Sequence, residues 1–145
     1  MRRTLTAMTG GRTLLESRAR AVVDYSLARR ATLSGLASGR LARREVCDAQ
    51  AYLIRAARYH GQSVDDVCPM CGATALGQVF FTYGDCFRGD TNGRARRPGE
   101  LVALADEVGE FTAYLVEVCA DCRWNHLLAS YVLGTGAPVK RRARS

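Results

Sequence analysis

Four cysteines fall into two hooks, Cys68-Pro69-Met70-Cys71-Gly72 and Cys119-Ala120-Asp121-Cys122. Two residues between the thiols let a tight turn aim both sulfurs at one point. Two such hooks supply four thiolates, which close a tetrahedral shell around Zn2+ at about 2.3 Å. A catalytic zinc keeps one coordination position open, and four cysteines leave none. Cys68, Cys71, Cys119 and Cys122 are therefore expected to ligate a structural ion. The rival chemistry is thiol redox at a single Cys-x-x-Cys, which usually sits where a strand meets a helix. Disulfides are disfavoured because no secretory signal follows Met1-Arg2-Arg3. Cys47 and Cys86 stand apart and read as small apolar core residues, with a further ligand or a redox role as the alternative. His126 lies four residues after Cys122 and reads as an orienting or partner-facing group. Trp124 reads as a lid over the knuckle.

The hooks need a scaffold that brings them together. Residues 78–83 alternate, with Val79, Phe81 and Tyr83 on one face and Phe80 and Thr82 on the other. Residues 111–118 form a second strand that runs into the second hook, and residues 127–133 form a third. Hook, strand, excursion, strand, hook, strand is the order of a zinc ribbon, here residues 67–136. Forty-seven residues, 72–118, separate the hooks, far more than the roughly 15–20 of a compact site. The excess sits in an insertion at 84–109, with turn signals and then a short helix from Glu100 to Val108 that covers a sheet face. The predicted fold class is α+β: a small four-cysteine zinc ribbon with a three-stranded antiparallel sheet, packed with N-terminal helices. Three short strands alone bury too little apolar surface, so removing the ion is expected to unfold the ribbon.

Residues 14–66 read as helical. Leu15, Ala19, Val22, Val23, Leu27 and Ala31 recur at spacings of three and four, which predicts one helix over about 14–37. Residues 45–47 fit a short extended piece. Asp48 then fits an N-cap for a second helix over about 49–59, with Tyr52, Leu53, Ala56 and Tyr59 on its apolar side. Arg55 and Arg58 lie on its exposed side. A helix-turn-helix reading is weak, because the second helix does not start basic. Residues 1–13 read as a flexible basic arm and residues 137–145 as a disordered basic tail.

The chain of 145 residues carries a net charge of +7, distributed as +6 over residues 1–66, −3 over 67–136 and +4 over 137–145. Nucleic-acid contact is therefore expected mainly from the flanks. Its apolar runs fall short of the roughly 20 residues of a membrane span. Phe80, Phe111, Tyr114 and Tyr131 could stack bases, but burial of the sheet against the helices over 14–37 and 49–59 is the favoured reading.

Several strings together resemble an uncharacterised actinobacterial family of short proteins, a domain of unknown function. They are Val23-Asp24-Tyr25-Ser26-Leu27, Val46-Cys47-Asp48-Ala49, residues 53–61, Cys68-Pro69-x-Cys71 and residues 116–126 with Cys119-x-x-Cys122-x-Trp124-Asn125-His126. The likeness spans roughly residues 19–136. It implies a cytoplasmic protein containing a zinc ribbon and supplies no activity. It also makes Cys47 part of a recurring motif.

No paired carboxylates, phosphate-binding glycine loop or nucleophile–base spacing points to catalysis, and no small-molecule substrate is evident. The expected function is a non-enzymatic zinc-binding module that docks on nucleic acid, RNA polymerase or the ribosome. The residues expected at the contact are Arg29, Arg30, Arg55, Arg58, Trp124 and His126. A protein–protein adaptor is the alternative, and a thiol redox sensor the third.

Overall fold

The computed structural model describes residues 14–136. The architecture is α+β, built on an antiparallel sheet with six strands among those residues. They are β1 (Ala21–Asp24), β2 (Gln62–Ser63), β3 (Leu76–Tyr83), β4 (Arg94–Arg96), β5 (Phe111–Cys119) and β6 (Asn125–Leu133). The strand order is β1-β6-β5-β3-β2, and β4 also pairs with β3. Three helices complete it: α1 (Ser26–Ala37), α2 (Ala51–His60) and α3 (Pro98–Glu107). Residues 14–18 are helical as well.

The sheet is twice the size expected from the ribbon alone. β3, β5 and β6 are the anticipated strands, and β1, β2 and β4 are additions. The predicted helix over 14–37 is broken by β1. Ala21, Val22 and Val23 pair with Val132, Tyr131 and Ser130 of β6. β-Branched residues fit a pleated ladder better than a helix interior, and β6 offers the ladder. Residues 43–45 form a 3-10 turn in place of the extended piece expected at 45–47. Gln50, not Asp48, precedes the second helix. The Asp48 carboxylate instead accepts from Asn125 Nδ2 at 2.9 Å. The segments at 1–13 and 137–145 lie outside the described residues.

Strand alternation divides the core. Phe80, Phe111, Leu115, Tyr131 and Leu133 pack on one sheet face against Leu101 and Ala105 of α3, with Leu15 sealing the cluster. Helix α3 belongs to the excursion between the hooks and covers a face, as its apolar stripe requires. The opposite face carries Val79, Phe81 and Val118 under Ala56 of α2. A third cluster, at the hook end of the sheet, gathers Val64, Leu76 and Trp124 around Cys68 and Cys119.

Candidate metal centre

The two hooks meet because of strand register. The first leads into β3 and the second leaves β5, and these strands pair with Leu76 opposite Cys119. Ala120 N–H adds a bond to Ala75 O at 3.2 Å, extending the ladder into the second hook. Each hook is then closed by the same device. Gly72 N–H donates to Cys68 O at 2.9 Å, and Arg123 N–H donates to Cys119 O at 3.0 Å. Both residues sit four after the first cysteine, and both adopt left-handed backbone, with φ of 75° and 73°. Glycine takes that conformation freely. Arg123 takes it at a steric cost, and its side chain offsets this by donating from Nε to Ala49 O at 2.7 Å.

The four sulfurs converge. Cys68, Cys71, Cys119 and Cys122 place their Sγ atoms within 4.8 Å of one another. Cys68 and Cys122 are 3.6 Å apart, and Cys71 and Cys119 are 3.7 Å apart. A tetrahedral ion with sulfurs at about 2.3 Å has edges of about 3.8 Å. The cluster therefore has the dimensions of a four-thiolate metal site. Cys68 and Cys119 are buried, Cys122 is half-buried and Cys71 is exposed. Met70 N–H points at Cys68 Sγ at 3.3 Å, the N–H-to-sulfur aim expected of such a turn.

Burial pushes the thiols of Cys68 and Cys119 up and that of Cys122 up to about 11. The backbone N–H of Ala73 holds the Cys71 thiol down. A cation entering this site must displace protons that the apolar surroundings retain, so occupancy is linked to pH.

Beside the sulfurs lies a polar network built on one buried carboxylate. Glu117 of β5 is 5% exposed. It accepts from Arg29 Nε at 2.8 Å, from Arg29 Nη2 at 3.3 Å and from Trp124 Nε1 at 3.0 Å. The Arg29 guanidinium lies 5.9 Å from the Trp124 ring centroid. The His126 ring stacks on that of Trp124, with centroids 5.8 Å apart. Its Nε2 is 3.2 Å from Thr32 Oγ1 of α1. Trp124 is fully buried in the cluster that holds Cys68 and Cys119. Arg29, Trp124 and His126 thus tie α1 to the sheet. Nothing in the motifs singles out Glu117, although one signal is present: it shares strand parity with Leu115 and Cys119, both inward.

Arg30, Arg55 and Arg58 are not drawn into this network. Arg55 lines a groove of about 350 Å³ between α2 and β4, together with Tyr52, Tyr59, His60 and Arg94. Tyr52 and Tyr59 are 53% and 60% exposed, so the side of α2 read as apolar is divided: Ala56 is inward and the tyrosines are outward. None of the described residues lining this groove is acidic. Among the described residues, ion pairs form at Arg18, Arg20 and Arg29, not at Arg55 or Arg94. Cys86 is remote from the hooks and donates to Glu110 O at 3.5 Å. Cys47 is not remote: its sulfur lies 3.8 Å from that of Cys122. No helix among the described residues is long and apolar enough to cross a membrane.

Known proteins share most of this chain. A family model described as a family of unknown function (DUF5318) matches residues 16–145. It therefore reaches into the basic tail that the resemblance at 19–136 left out. Among similar chains are the uncharacterized proteins Rv0049 of Mycobacterium tuberculosis (strain H37Rv) and Mb0050 of Mycobacterium bovis. Each is 44% identical over 118 residues, covering 81% of this chain and 85% of the relative. No solved structure matches.

Proposed function

Starting from a chain that belongs to the DUF5318 family of unknown function, we propose a non-enzymatic, zinc-stapled module that binds nucleic acid. In this reading the ion is Zn2+, its ligands are Cys68, Cys71, Cys119 and Cys122, and its role is structural. The hooks with β3, β5 and β6 act as an enlarged zinc ribbon. Sulfur-only donors in a closed tetrahedral set favour zinc over the harder divalent ions. Free thiols in contact belong in a reducing compartment, which supports a cytoplasmic location.

The observation that carries the binding role is the groove between α2 and β4. Two outward tyrosines seven residues apart flank Arg55, with Arg94 across from them. Unpaired arginines beside exposed rings suit a single-stranded backbone, whose phosphates meet the guanidinium groups while bases stack on the rings. Arg58, one turn along α2 from Arg55, adds charge on the same helix, whereas Arg30 lies on α1 and is not among the groove residues. Arg29 and Trp124, engaged by Glu117, are left out of the contact. RNA polymerase or the ribosome would present such a strand within a larger assembly.

Fluorescence anisotropy with short single-stranded RNA and DNA tests this. Binding that weakens steeply with salt, and weakens further in Arg55→Ala/Arg94→Ala and in Tyr59→Ala, is expected. No binding by folded, zinc-loaded protein at low salt refutes it. One zinc per chain in the purified protein is the companion measurement.

A protein–protein adaptor is the second reading. Leu27 of α1 is 72% exposed, and Val22 and Val23 are exposed on the two faces of the edge strand β1. These apolar side chains favour a salt-tolerant protein partner, and they predict association that survives high salt.

A further inference from the structure

We propose that Cys47 and Cys122 are a peroxide-sensitive pair: they join in a reversible disulfide that withdraws Cys122 from the four-sulfur site. The second half of this statement rests on the metal reading above. The first half stands on geometry alone.

Cys47 lies 75 residues from Cys122 in the chain, yet their sulfurs are 3.8 Å apart. Cys47 is not a member of the convergent set of four; it touches the set at one corner. A disulfide is about 2.05 Å long, so the two sulfurs must close by less than about 2 Å. The strap that carries Cys47 is fastened to the residues just after Cys122. Asn125 N–H donates to Val46 O at 3.2 Å and Ala49 N–H to Arg123 O at 3.0 Å. Arg123 Nε returns a bond to Ala49 O at 2.7 Å, and Asn125 Nδ2 donates to Asp48 Oδ1 at 2.9 Å. The fold therefore stations Cys47 over this particular ligand. Cys47 and Cys122 are half-buried and Cys71 is exposed, all within reach of a small oxidant, whereas Cys68 and Cys119 are buried; the 3.8 Å contact is what singles out Cys47 and Cys122. Cys86 has a backbone carbonyl, not a sulfur, as its partner.

The chemistry balances with hydrogen peroxide as the oxidant. The Cys47 sulfur attacks one peroxide oxygen and the O–O bond breaks. This leaves a Cys47 sulfenic acid, and the other oxygen departs as water. The Cys122 thiolate then attacks the Cys47 sulfur, and the S–O bond breaks as a second water departs. The two sulfurs supply two electrons. The Cys47 thiol supplies one proton and solvent the other. An ion held by the four cysteines would be left with three of them as ligands. A small-molecule thiol reverses the step.

The test uses the full chain, zinc-loaded and reduced, as wild type, Cys47→Ser and Cys86→Ser. Stoichiometric peroxide is added; a chromogenic chelator reads zinc release and non-reducing peptide mass spectrometry maps the bridge. Wild type and Cys86→Ser are expected to give the 47–122 linked peptide with matching zinc release, both reversed by dithiothreitol. Cys47→Ser is expected to hold zinc like wild type when reduced, and to lose both responses. A map dominated by bridges within the four ligands, or zinc release from Cys47→Ser at the wild-type rate, overturns the proposal. So does failure of reduced Cys47→Ser to hold zinc, which would make Cys47 a ligand. Reduced wild type without zinc would instead defeat the metal reading, while the peptide map still decides the disulfide.

Discussion

Replacing Arg29 with alanine strands the Glu117 carboxylate. In the native fold Glu117 is 5% exposed and takes two bonds from Arg29 and one from Trp124. Charge centres about 4 Å apart attract by about 4 kcal/mol at an effective dielectric near 20. The variant keeps the indole bond. The Arg29 side chain is itself 27% exposed, so water can follow into the space it vacates. The expected cost is therefore about 2–3 kcal/mol, below the roughly 3–5 of a fully enclosed pair and above the roughly 0–1 of a surface pair. Urea unfolding at fixed zinc concentration measures it, read as a lower midpoint at unchanged slope. Glu117→Gln in the Arg29→Ala background should recover part of the loss, because an amide needs no counter-ion. An Arg29→Ala cost within about 0.5 kcal/mol of zero, or strict additivity of the two changes, would refute the idea that this pair is enclosed and coupled.

Chelation should lower the melting temperature by about 10 °C or more, with each kcal/mol worth a few degrees. It should leave residual β-structure, because two of the core clusters lie away from the sulfurs; an unchanged melt contradicts the metal centre. Gly134→Ala should cost more than about 2 kcal/mol in thermal or urea unfolding. Its φ is +116°, and a Cβ there would lie 2.8 Å from Glu110 Cα and closer still to the Gly109 carbonyl oxygen. The pH response should change sign with the metal. In the metal-free fold, burial raises the Cys122 thiol from 9.0 to about 11. The stability this proton provides is complete below pH 9.0 and is lost as pH climbs through about 11, with Cys68 and Cys119 adding in the same direction and Cys71 opposing. The zinc-loaded protein needs thiolates, so it should instead lose stability on acidification; melts across pH with and without chelator separate the two.

The cysteine end of the fold is readable because the four thiols sit at fixed spacings. Cys68 to Cys71 and Cys119 to Cys122 sit in matching turns, and the strands that join the hooks, β3 and β5, alternate in plain sight. The N-terminal half is harder. Leu15, Val22, Val23 and Leu27 satisfy helical spacing, but Leu15 is buried in the core while the other three are exposed. Pairing with β6, whose Val132 partner lies far along the chain from Ala21, decides the conformation of β1. Periodicity carries no information about such a partner. The extra strands β2 and β4 are two and three residues long, too short to show alternation. Arg29 and Arg55 look alike in sequence, and only Glu117 on a facing strand separates an internal counter-ion from a free cation. Cys47 likewise gains its neighbour through the 46–49 strap, which no local pattern announces.

One carboxylate helps couple the sulfur cluster to α1, whose Leu33 and Leu36 also pack against that cluster. Glu117 holds the indole that roofs the sulfur cluster and, through Arg29, the beginning of α1. Emptying the cluster would free the indole to rock, and that slack passes along the carboxylate to the helix. Amide exchange should then quicken in α1, whose sequence contains none of the ligands, making that helix a remote gauge of whether the ion is home.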